Sequence, residues 1–311
     1  MREYGLKVLK PGALSLIQDL GRFGQAQIGI TQGGPLDEYA YSWANYLLDN
    51  PVNCPCIEIT LGQAEFLIEH DGFFAICGGD LKATLDDIPL KNWSTFQAHS
   101  GQTLAFALPK NGLRCYLAVK GGFTLPTQLG SCASVERDQL GGLHSGHPLQ
   151  EDDILTFRAF ALSNRSLIRQ LSFRFQPDYD LPITLRVIEG YQRDKFTPQA
   201  MEQFYLQEFT VSAHINRMGY RLSGASIEVP EIKMLSEGIA LGAIQIPPDG
   251  EPIVLFNDRQ TLGGYPKIGC VSRIDLPRLA QAKPGQKVRF MKGNLAELQA
   301  DWIRWAHYFG Y

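Results

Sequence analysis

Side chains that could do chemistry are densest between residues 245 and 269. An apolar run at residues 253–256, in a segment punctuated by proline and glycine, predicts a buried strand that ends in a polar cluster. An acid, a guanidinium, an amide, a phenol and an ammonium follow it closely: Asp258, Arg259, Gln260, Tyr265 and Lys267. We expect these groups on a turn at the rim of a sheet, where substitution would leave folding intact. A hairpin with a solvated tip is the alternative.

Glycine pairs accompany this cluster and one other strand end. Gly263 and Gly264 follow Gln260 closely, and Gly121 and Gly122 follow the apolar run at residues 115–119. Glycine permits positive φ and close approach of a ligand, and successive N–H groups can hold an anion. We therefore predict ligand contacts to the backbone at both pairs, with simple tight turns as the alternative.

Two further polar clusters end predicted strands. Asp19 and Arg22 follow the apolar run at residues 14–17, and Asn216 and Arg217 lie in a turn between two apolar runs. Concave sites favour domain interfaces. We therefore predict that Arg22, Asn216 and Arg217 converge on one groove with Asp258, Lys267 and the 121–122 pair. The alternative places Arg22 and Asn216 on separate turns, each paired locally with a carboxylate or carbonyl.

The composition excludes several classes of protein. The 311 residues are 44% hydrophobic and 20% charged, which is typical of a globular protein with more than one domain. A net charge of −3 argues against general nucleic-acid or membrane-surface binding. No apolar run approaches the roughly 20 residues of a membrane span. Without a visible signal peptide, we expect a cytoplasmic protein whose six cysteines are reduced thiols.

The pattern of elements predicts a mainly β chain with a few helices. Strands recur about every ten residues from 57 to 120, which indicates a sandwich or barrel. Helices are predicted at residues 36–49, after a Thr197 cap with Pro198 at the first position, and after an Asn294 cap. We divide the chain into a first half at residues 1–160, a connector at 161–182 and a second half at 183–311. These boundaries are approximate, and the two halves are allowed to intertwine.

A weak internal repeat supports two related halves. Residues 98–106 match residues 282–290 at four of nine positions, and the frame Gly-Gln-x-aliphatic-x-Phe is kept. A chance match between two strands that each follow a glycine turn is the alternative.

Several familiar catalytic and cofactor motifs are missing. The sequence has no G-x-x-x-x-G-K-[ST] phosphate loop and no G-x-S-x-G elbow. His144 and His147 have helical spacing for a metal, but Gly146 and Pro148 deny that helix, so no metal site is predicted. Met291-Lys292-Gly293 lacks the second methionine of a biotin carrier motif, so we predict no covalently attached biotin.

A set of short motifs occurs in one order along nearly the whole chain. They are Asp19-x-Gly21-Arg22, Gly34-x-Leu36-Asp37, Glu58 with Leu61-Gly62, Arg114-x-Tyr116-Leu117-Ala118-x-x-Gly121-Gly122, Asn216-Arg217-Met218-Gly219-Tyr220-Arg221-Leu222, Leu235-Ser236-x-Gly238, Gln245-x-Pro247 and Asp258-x-Gln260-Thr261-x-Gly263-Gly264-Tyr265-Pro266. Together they resemble the biotin-dependent carboxyltransferase and allophanate-hydrolase subunit 2 family. Leu20 and Leu262 depart from the usual glycine and threonine, and neither departure removes a reactive group.

The resemblance implies a fold and an activity. It implies two cyclophilin-like β-barrel halves. Stand-alone bacterial members of this length imply an ATP-dependent 5-oxoprolinase, which opens 5-oxo-L-proline (pyroglutamate) to L-glutamate in a complex with 5-oxoprolinase subunits B and A. This chain is expected to be inactive alone.

The implied reaction also assigns roles to the polar clusters. Phosphorylation of the lactam oxygen by ATP with Mg²⁺ needs cations and N–H donors around developing negative charge. Arg22, Arg217, Arg259, Lys267 and the glycine pairs are groups of the right type. Asp258 is expected either to hold Mg²⁺ or to orient Arg259 and Lys267.

Two other functions fit the same resemblance. One is a carboxyltransferase component that uses carboxybiotin, as in urea carboxylase-like members of the family. The other is a regulatory protein that binds a kinase inhibitor homologous to the second of the two partner subunits. Neighbouring genes would separate these functions, because biotin carboxylase genes favour the first, and genes for subunits A and B favour the oxoprolinase.

Overall fold

The computed structural model describes residues 5–159, 168–230 and 234–311. These residues contain twenty strands and four α-helices, which confirms the predicted mainly β fold class. They form two compact units, Met1–Arg22 with Gly33–Tyr179, and Phe23–Gln32 with Asp180–Tyr311. Residues 161–167 of the predicted connector lie outside the described part of the chain.

The N-terminal unit carries the first eleven strands and the first helix. The strands are β1 Gly5–Pro11, β2 Leu14–Gln18, β3 Cys56–Thr60, β4 Ala64–Ile68, β5 Gly72–Asp80, β6 Thr84–Leu85, β7 Ile88–Pro89, β8 Ser94–Ala98, β9 Thr103–Ala105, β10 Asn111–Val119 and β11 Ile154–Thr156, and the helix is α1 Glu38–Leu47.

Two antiparallel sheets build this unit. One has the order β11-β1-β4-β9-β6-β7 and the other the order β2-β3-β10-β5-β8. In β4 the buried residues alternate, so Ala64, Phe66 and Ile68 share one face. They join residues of both sheets in a single apolar core. Helix α1 packs on β5 and β10, which explains why those two strands are buried along nearly their whole length.

Helix α1 begins later than the sequence predicted. The Asp37 carboxylate accepts a hydrogen bond from the Ala40 backbone N–H at 2.9 Å and caps the helix. Pro35 therefore precedes the cap instead of occupying the first turn. The acidic residue that was expected to favour the positive end of the helix is itself the cap.

The C-terminal unit carries the other nine strands and three helices. They are β12 Ile183–Glu189, β13 Phe209–Ile215, β14 Gly219–Ser223, β15 Glu237–Gly238, β16 Ala243–Gln245, β17 Ile253–Leu255, β18 Leu262–Gly263, β19 Lys267–Val271 and β20 Lys287–Lys292, with α2 Pro198–Leu206, α3 Leu276–Ala280 and α4 Leu295–Phe309.

Seven of these strands close into a barrel with the order β12-β19-β16-β17-β14-β13-β20. All neighbours are antiparallel except β12 and β20, which run parallel. Closure pairs every strand on both sides and leaves no exposed edge. Val211, Tyr220, Leu222, Ile244 and Val254 are all nearly or fully buried, and their strand neighbours alternate toward the outer face.

A short ribbon lies outside the barrel. Strands β15 and β18 pair only at Glu237–Gly263 and Gly238–Leu262. Ile239, which follows β15, packs with Ala243 and Leu255 in a small apolar cluster. The ribbon therefore covers part of the outer surface of β16 and β17.

Two helix caps match the sequence analysis. The Thr197 hydroxyl accepts from the Ala200 N–H at 3.2 Å, with Pro198 at the first position of α2. The Asn294 side chain accepts from the Glu297 N–H at 3.2 Å at the start of α4. Both predicted caps are confirmed.

The internal repeat corresponds to the same turn in each unit. The Gln102 side-chain oxygen accepts from the His99 N–H, and the Gln286 side-chain oxygen accepts from the Lys283 N–H. The preceding glycines have φ of +93° and +92°, and a strand follows directly in both cases. The glycine is required because other residues rarely adopt this backbone conformation.

All six cysteines lie within the described residues and none forms a disulfide. Burial raises the pKa of the Cys77 and Cys115 thiols. No helix in the described ranges has the length and apolar character needed to cross a membrane.

Candidate functional site

A buried ion pair joins the two turns that carry most of the predicted site residues. The Arg217 guanidinium donates Nε to Asp258 Oδ2 at 2.8 Å and Nη2 to Asp258 Oδ1 at 2.9 Å. Only 7% of Arg217 and 6% of Asp258 is exposed to solvent. The Asp258 N–H also donates to the Arg217 carbonyl at 3.0 Å, so backbone and side chains fix the same contact.

This burial contradicts the prediction of a solvated rim turn at Asp258. A two-pronged carboxylate–guanidinium pair has strict geometry and is strong where water is excluded. Both Asp258 oxygens accept from Arg217, so the structure pairs this acid with Arg217, whereas the sequence analysis paired it with Mg²⁺ or with Arg259 and Lys267. Asp258 is therefore an organising residue of the site.

Asn216 shapes the turn between β13 and β14. Its side-chain oxygen accepts from the Met218 N–H at 2.8 Å and from the Gly219 N–H at 3.1 Å. Such a contact is an Asx turn, in which a side chain replaces a backbone carbonyl. It places Asn216 and Met218 at the lip of a cavity on the outer face of the barrel.

Arg259 is committed to backbone carbonyls. Its Nε donates to the Ile239 carbonyl at 3.1 Å, and its Nη1 donates to the Phe256 carbonyl at 3.3 Å. Burial lowers the pKa of this guanidinium. Because Ile239 follows β15, Arg259 ties the ribbon to the end of β17.

Lys267 is also buried, with 9% exposed, and its ammonium pairs with the Glu237 carboxylate of the ribbon. The Tyr191 hydroxyl and the Gln192 side-chain amide donate to the same carboxylate. The ammonium of Lys267 holds the pKa of Glu237 below its usual range. The Lys267 N–H donates to Gln192 Oε1 at 2.7 Å, which fixes the Gln192 amide in place.

A cavity of about 710 Å³ opens on the outer face of β13, β14, β17 and β16. Its lining is mostly polar and small: Ser212, His214, Asn216, Met218, Gly219, Arg221, Ser223, Gln245, Glu251, Ile253, Leu255, Gln260 and Tyr265. These strand residues alternate with the residues that fill the barrel interior. The cavity brings together three predicted site residues, Asn216, Gln260 and Tyr265.

Gln245 is the residue that the sequence analysis left without a role. It lies on β16 and lines the cavity, yet only 2% of it is exposed. Its Oε1 accepts from Gln260 Nε2 at 3.4 Å, while its own Nε2 is buried and has no hydrogen-bond partner among the described residues. A buried donor without a partner costs about 1–3 kcal/mol, so it is a group that a ligand could satisfy. The local sequence gives no signal for this, because the burial comes from the ribbon.

Neither glycine pair has the conformation that was predicted for anion binding. Gly263 and Gly264 do not have positive φ, and Gly263 is needed for space. A Cβ there would lie 2.5 Å from Ile239 Cδ1 and 2.8 Å from Gln245 Nε2. Gly121 and Gly122 do have positive φ, but their N–H groups donate to Asn50 Oδ1 and to the Val119 carbonyl. The tight-turn alternative describes the 121–122 pair.

Asp19 and Arg22 bind one loop of the N-terminal unit. Asp19 is 3% exposed and accepts from the Gly21 and Cys132 N–H groups and from the Ser131 hydroxyl. Arg22 is 2% exposed and donates to the carbonyls of residues 128, 131 and 133. These contacts agree with the local-pairing alternative for Arg22. The convergence of Arg22 with the Asp258 and Lys267 cluster stays a prediction.

No metal site is visible in residues 5–159, 168–230 and 234–311, since no three His, Cys, Asp or Glu side chains there are grouped to hold an ion. His144 instead pairs with Asp153, and His147 with Glu136.

The first prediction concerns Arg22. Arg22→Met keeps the aliphatic stem but removes the donors to three carbonyls, and each unsatisfied buried group costs about 1–3 kcal/mol. We expect unfolding at a clearly lower urea concentration than for the unaltered chain. The exposed Arg289 serves as control, because Arg289→Met removes only a surface ion pair. Equal urea midpoints for Arg22→Met and the unaltered chain would show that these contacts do not stabilise the fold.

The second prediction concerns the Arg217–Asp258 pair. Asp258→Ala leaves a buried guanidinium without its carboxylate, which costs about 3–5 kcal/mol in the free energy of unfolding. We expect the double variant Arg217→Met/Asp258→Ala to be more stable than Asp258→Ala alone, because the orphaned charge is gone. A double-mutant cycle by urea unfolding measures this coupling. Additive effects of the two substitutions would contradict the role assigned to the pair.

Comparison with known proteins places this site in a family. The family model described as "Carboxyltransferase domain, subdomain A and B" matches residues 28–292. The chain is similar to the C-type subunit of 5-oxoprolinase from Escherichia coli, with 36% identity over 94% of this chain and 92% of the relative. It is also similar to the subunit of the same name from Haemophilus influenzae, with 35% identity over 94% and 92% of the two chains.

A solved structure extends the comparison. The urea carboxylase of Kluyveromyces lactis superimposes with a TM-score of 0.83 at 26% identity, over 96% of this chain and 28% of the enzyme. The match therefore covers one part of a much longer protein. Together with the family model, it confirms the resemblance on which the motifs were interpreted. The chain belongs to the carboxyltransferase domain, subdomain A and B, family.

Proposed function

We propose that this chain is a subunit of a 5-oxoprolinase, an ATP-dependent hydrolase that opens 5-oxo-L-proline to L-glutamate and also contains subunits A and B. The observation that carries the proposal is the 36% identity to a 5-oxoprolinase subunit, over nearly the full length of both chains. The polar cavity on the barrel is the surface of this chain that we assign to the lactam.

The substrate explains why a subunit with an amide-lined cavity is useful. A lactam presents a carbonyl acceptor and an N–H donor side by side, and a primary amide offers the complementary donor and acceptor. Gln245, Gln260 and Asn216 supply such amides around the cavity, and the Tyr265 ring lies beside them. We assign to these residues the binding and orientation of the lactam.

ATP would supply the activation that an unstrained amide needs. The cations that the sequence analysis assigned to its phosphates are engaged with protein groups in this chain. Arg22 and Arg259 donate to carbonyls, Arg217 pairs with Asp258, and Lys267 pairs with Glu237. The 121–122 N–H groups are engaged as well. This donor set does not fit a phosphate site, so we assign nucleotide binding to another subunit.

The carboxyltransferase function remains a second candidate, and the likeness to urea carboxylase favours it. Urea and a lactam share the amide group, so the same cavity could present either one to an activated carboxyl donor. The two functions differ in their dependence on biotin. A 5-oxoprolinase of the proposed kind releases glutamate without biotin, whereas carboxyl transfer from carboxybiotin stops when avidin captures the biotin.

The third prediction tests the proposed function by reconstitution. The purified chain alone should release no glutamate from 5-oxo-L-proline and ATP, and mixing it with subunits A and B should give ATP-dependent release. Subunits A and B without this chain are the matched control. Release by the isolated chain would contradict the proposal, as would full activity of A and B without it. Inhibition by avidin would favour the carboxyltransferase instead.

A further inference from the structure

The Glu237 carboxylate occupies a pocket of three donors outside the residues assigned to the lactam. The Lys267 ammonium, the Tyr191 hydroxyl and the Gln192 amide all face its two oxygens. An ammonium with two neutral donors is the combination that proteins use to bind carboxylates through charge-assisted hydrogen bonds. The interaction has one acid and three donors, and the two sides are held very differently.

The donors belong to the frame of the barrel. A β-bulge in β19, between the pairs Ile244–Gly269 and Gln245–Lys267, leaves Ile268 unmatched. Without that extra residue Lys267 would point to the other face, since one step in register reverses every side chain. Gln192 is fixed by the Lys267 N–H, and the Gly190 N–H donates to the Ile268 carbonyl at 2.9 Å.

The acceptor belongs to the ribbon. Glu237 lies on β15, which pairs with β18 at only two positions, and 30% of its side chain is exposed. An element with so few backbone pairs opens at a lower free-energy cost than the closed barrel beneath it. The acid can therefore leave while the three donors stay in place.

A fourth polar group lies next to this pocket. Gln245 stands directly opposite Lys267 in the β16–β19 pairing, so their side chains share the outer face. The unpartnered Gln245 Nε2 lies under Gly263, the residue that pairs with Glu237. Movement of the ribbon would uncover both Lys267 and the Gln245 amide, and Gln245 also lines the cavity.

We propose that Tyr191, Gln192 and Lys267 form a carboxylate-binding site that the chain's own Glu237 fills when no ligand is bound. The ligand class is a small carboxylic acid that also carries a carbonyl or amide oxygen. Its carboxylate replaces Glu237 on the three donors, and its carbonyl oxygen accepts from Gln245 Nε2. No covalent step is involved, because one carboxylate exchanges for another.

The site deepens the proposed function. 5-Oxo-L-proline carries a carboxylate on the carbon next to its lactam nitrogen, so both halves of the site have a counterpart in this substrate. The identity of the ligand rests on the proposed function, while the exchange of carboxylates rests only on the contacts of Glu237. The experiment therefore needs one probe for each.

The fourth prediction is that removing the charge of Glu237 strengthens carboxylate binding. Glu237→Gln keeps the size of the side chain but no longer competes as an anion. If the unaltered chain has its donors open in a tenth of molecules or fewer, the apparent affinity rises about tenfold or more. Calorimetric titration of the full chain, alone and in the assembled complex, would use acetate, 5-oxo-L-proline and 2-pyrrolidinone, which has the lactam without the carboxylate.

The probes separate the possible outcomes. Acetate and 5-oxo-L-proline should both bind more tightly to Glu237→Gln, the change for 2-pyrrolidinone should be smaller, and adding Lys267→Met should abolish the gain. Tighter binding of acetate with no binding of 5-oxo-L-proline would support the carboxylate site and contradict the proposed function. Unchanged or weaker acetate binding to a folded Glu237→Gln chain would overturn the site, because Glu237 would then be only a structural link.

A second measurement does not depend on any variant folding. In the unaltered chain, a saturating carboxylate should accelerate amide hydrogen exchange at residues 237–239 and 261–263, since it displaces the ribbon acid. Chloride at equal ionic strength is the control for screening of the ion pair. Exchange rates that are the same in acetate and chloride would contradict displacement of Glu237.

Discussion

The buried pair of Arg217 and Asp258 is the interaction on which the candidate site depends. Taking an unpaired charge out of water is far more expensive than taking out a matched pair, so neither residue can be buried without the other. Their contact joins the turn after β13 to the turn after β17, which lie at the same end of neighbouring strands. The cavity lip at Asn216 and the polar segment that begins at Asp258 are therefore fixed with respect to each other.

The C-terminal unit uses its cations and its amides for different purposes. Arg217, Arg259 and Lys267 are each held by a carboxylate or by carbonyls, and they join the β13–β14 turn, the ribbon and β19 to the barrel. Gln245 is the opposite case, since a buried amide donor has no partner among the described residues. Charged groups thus build the frame, and neutral amides are left for recognition. This division suits a neutral lactam ring better than a phosphate.

The sequence predicted local features well and long-range features poorly. The Thr197 and Asn294 caps depend on residues within three positions, and both were predicted correctly. The role of Arg22 depends on the carbonyl of Ala133, which is 111 residues away, so composition could not show whether its guanidinium is structural. The same holds for Asp258, whose partner is 41 residues distant. The placement of Phe23–Gln32 with the C-terminal unit had no local signal either. Gln245 was passed over because its importance arises from the ribbon that buries it.

The most direct test of the central claim is a crystal structure of the assembled complex with 5-oxo-L-proline. The claim is that the outer face of the C-terminal barrel holds the substrate and that the Arg217–Asp258 pair only shapes this face. We expect the lactam in the cavity between Asn216 and Tyr265, with its carbonyl oxygen within hydrogen-bonding distance of Gln245 Nε2 and the Arg217–Asp258 pair unbroken. Substrate bound at a different surface while this cavity stays empty, or direct contact of the lactam with the Asp258 carboxylate, would contradict the account.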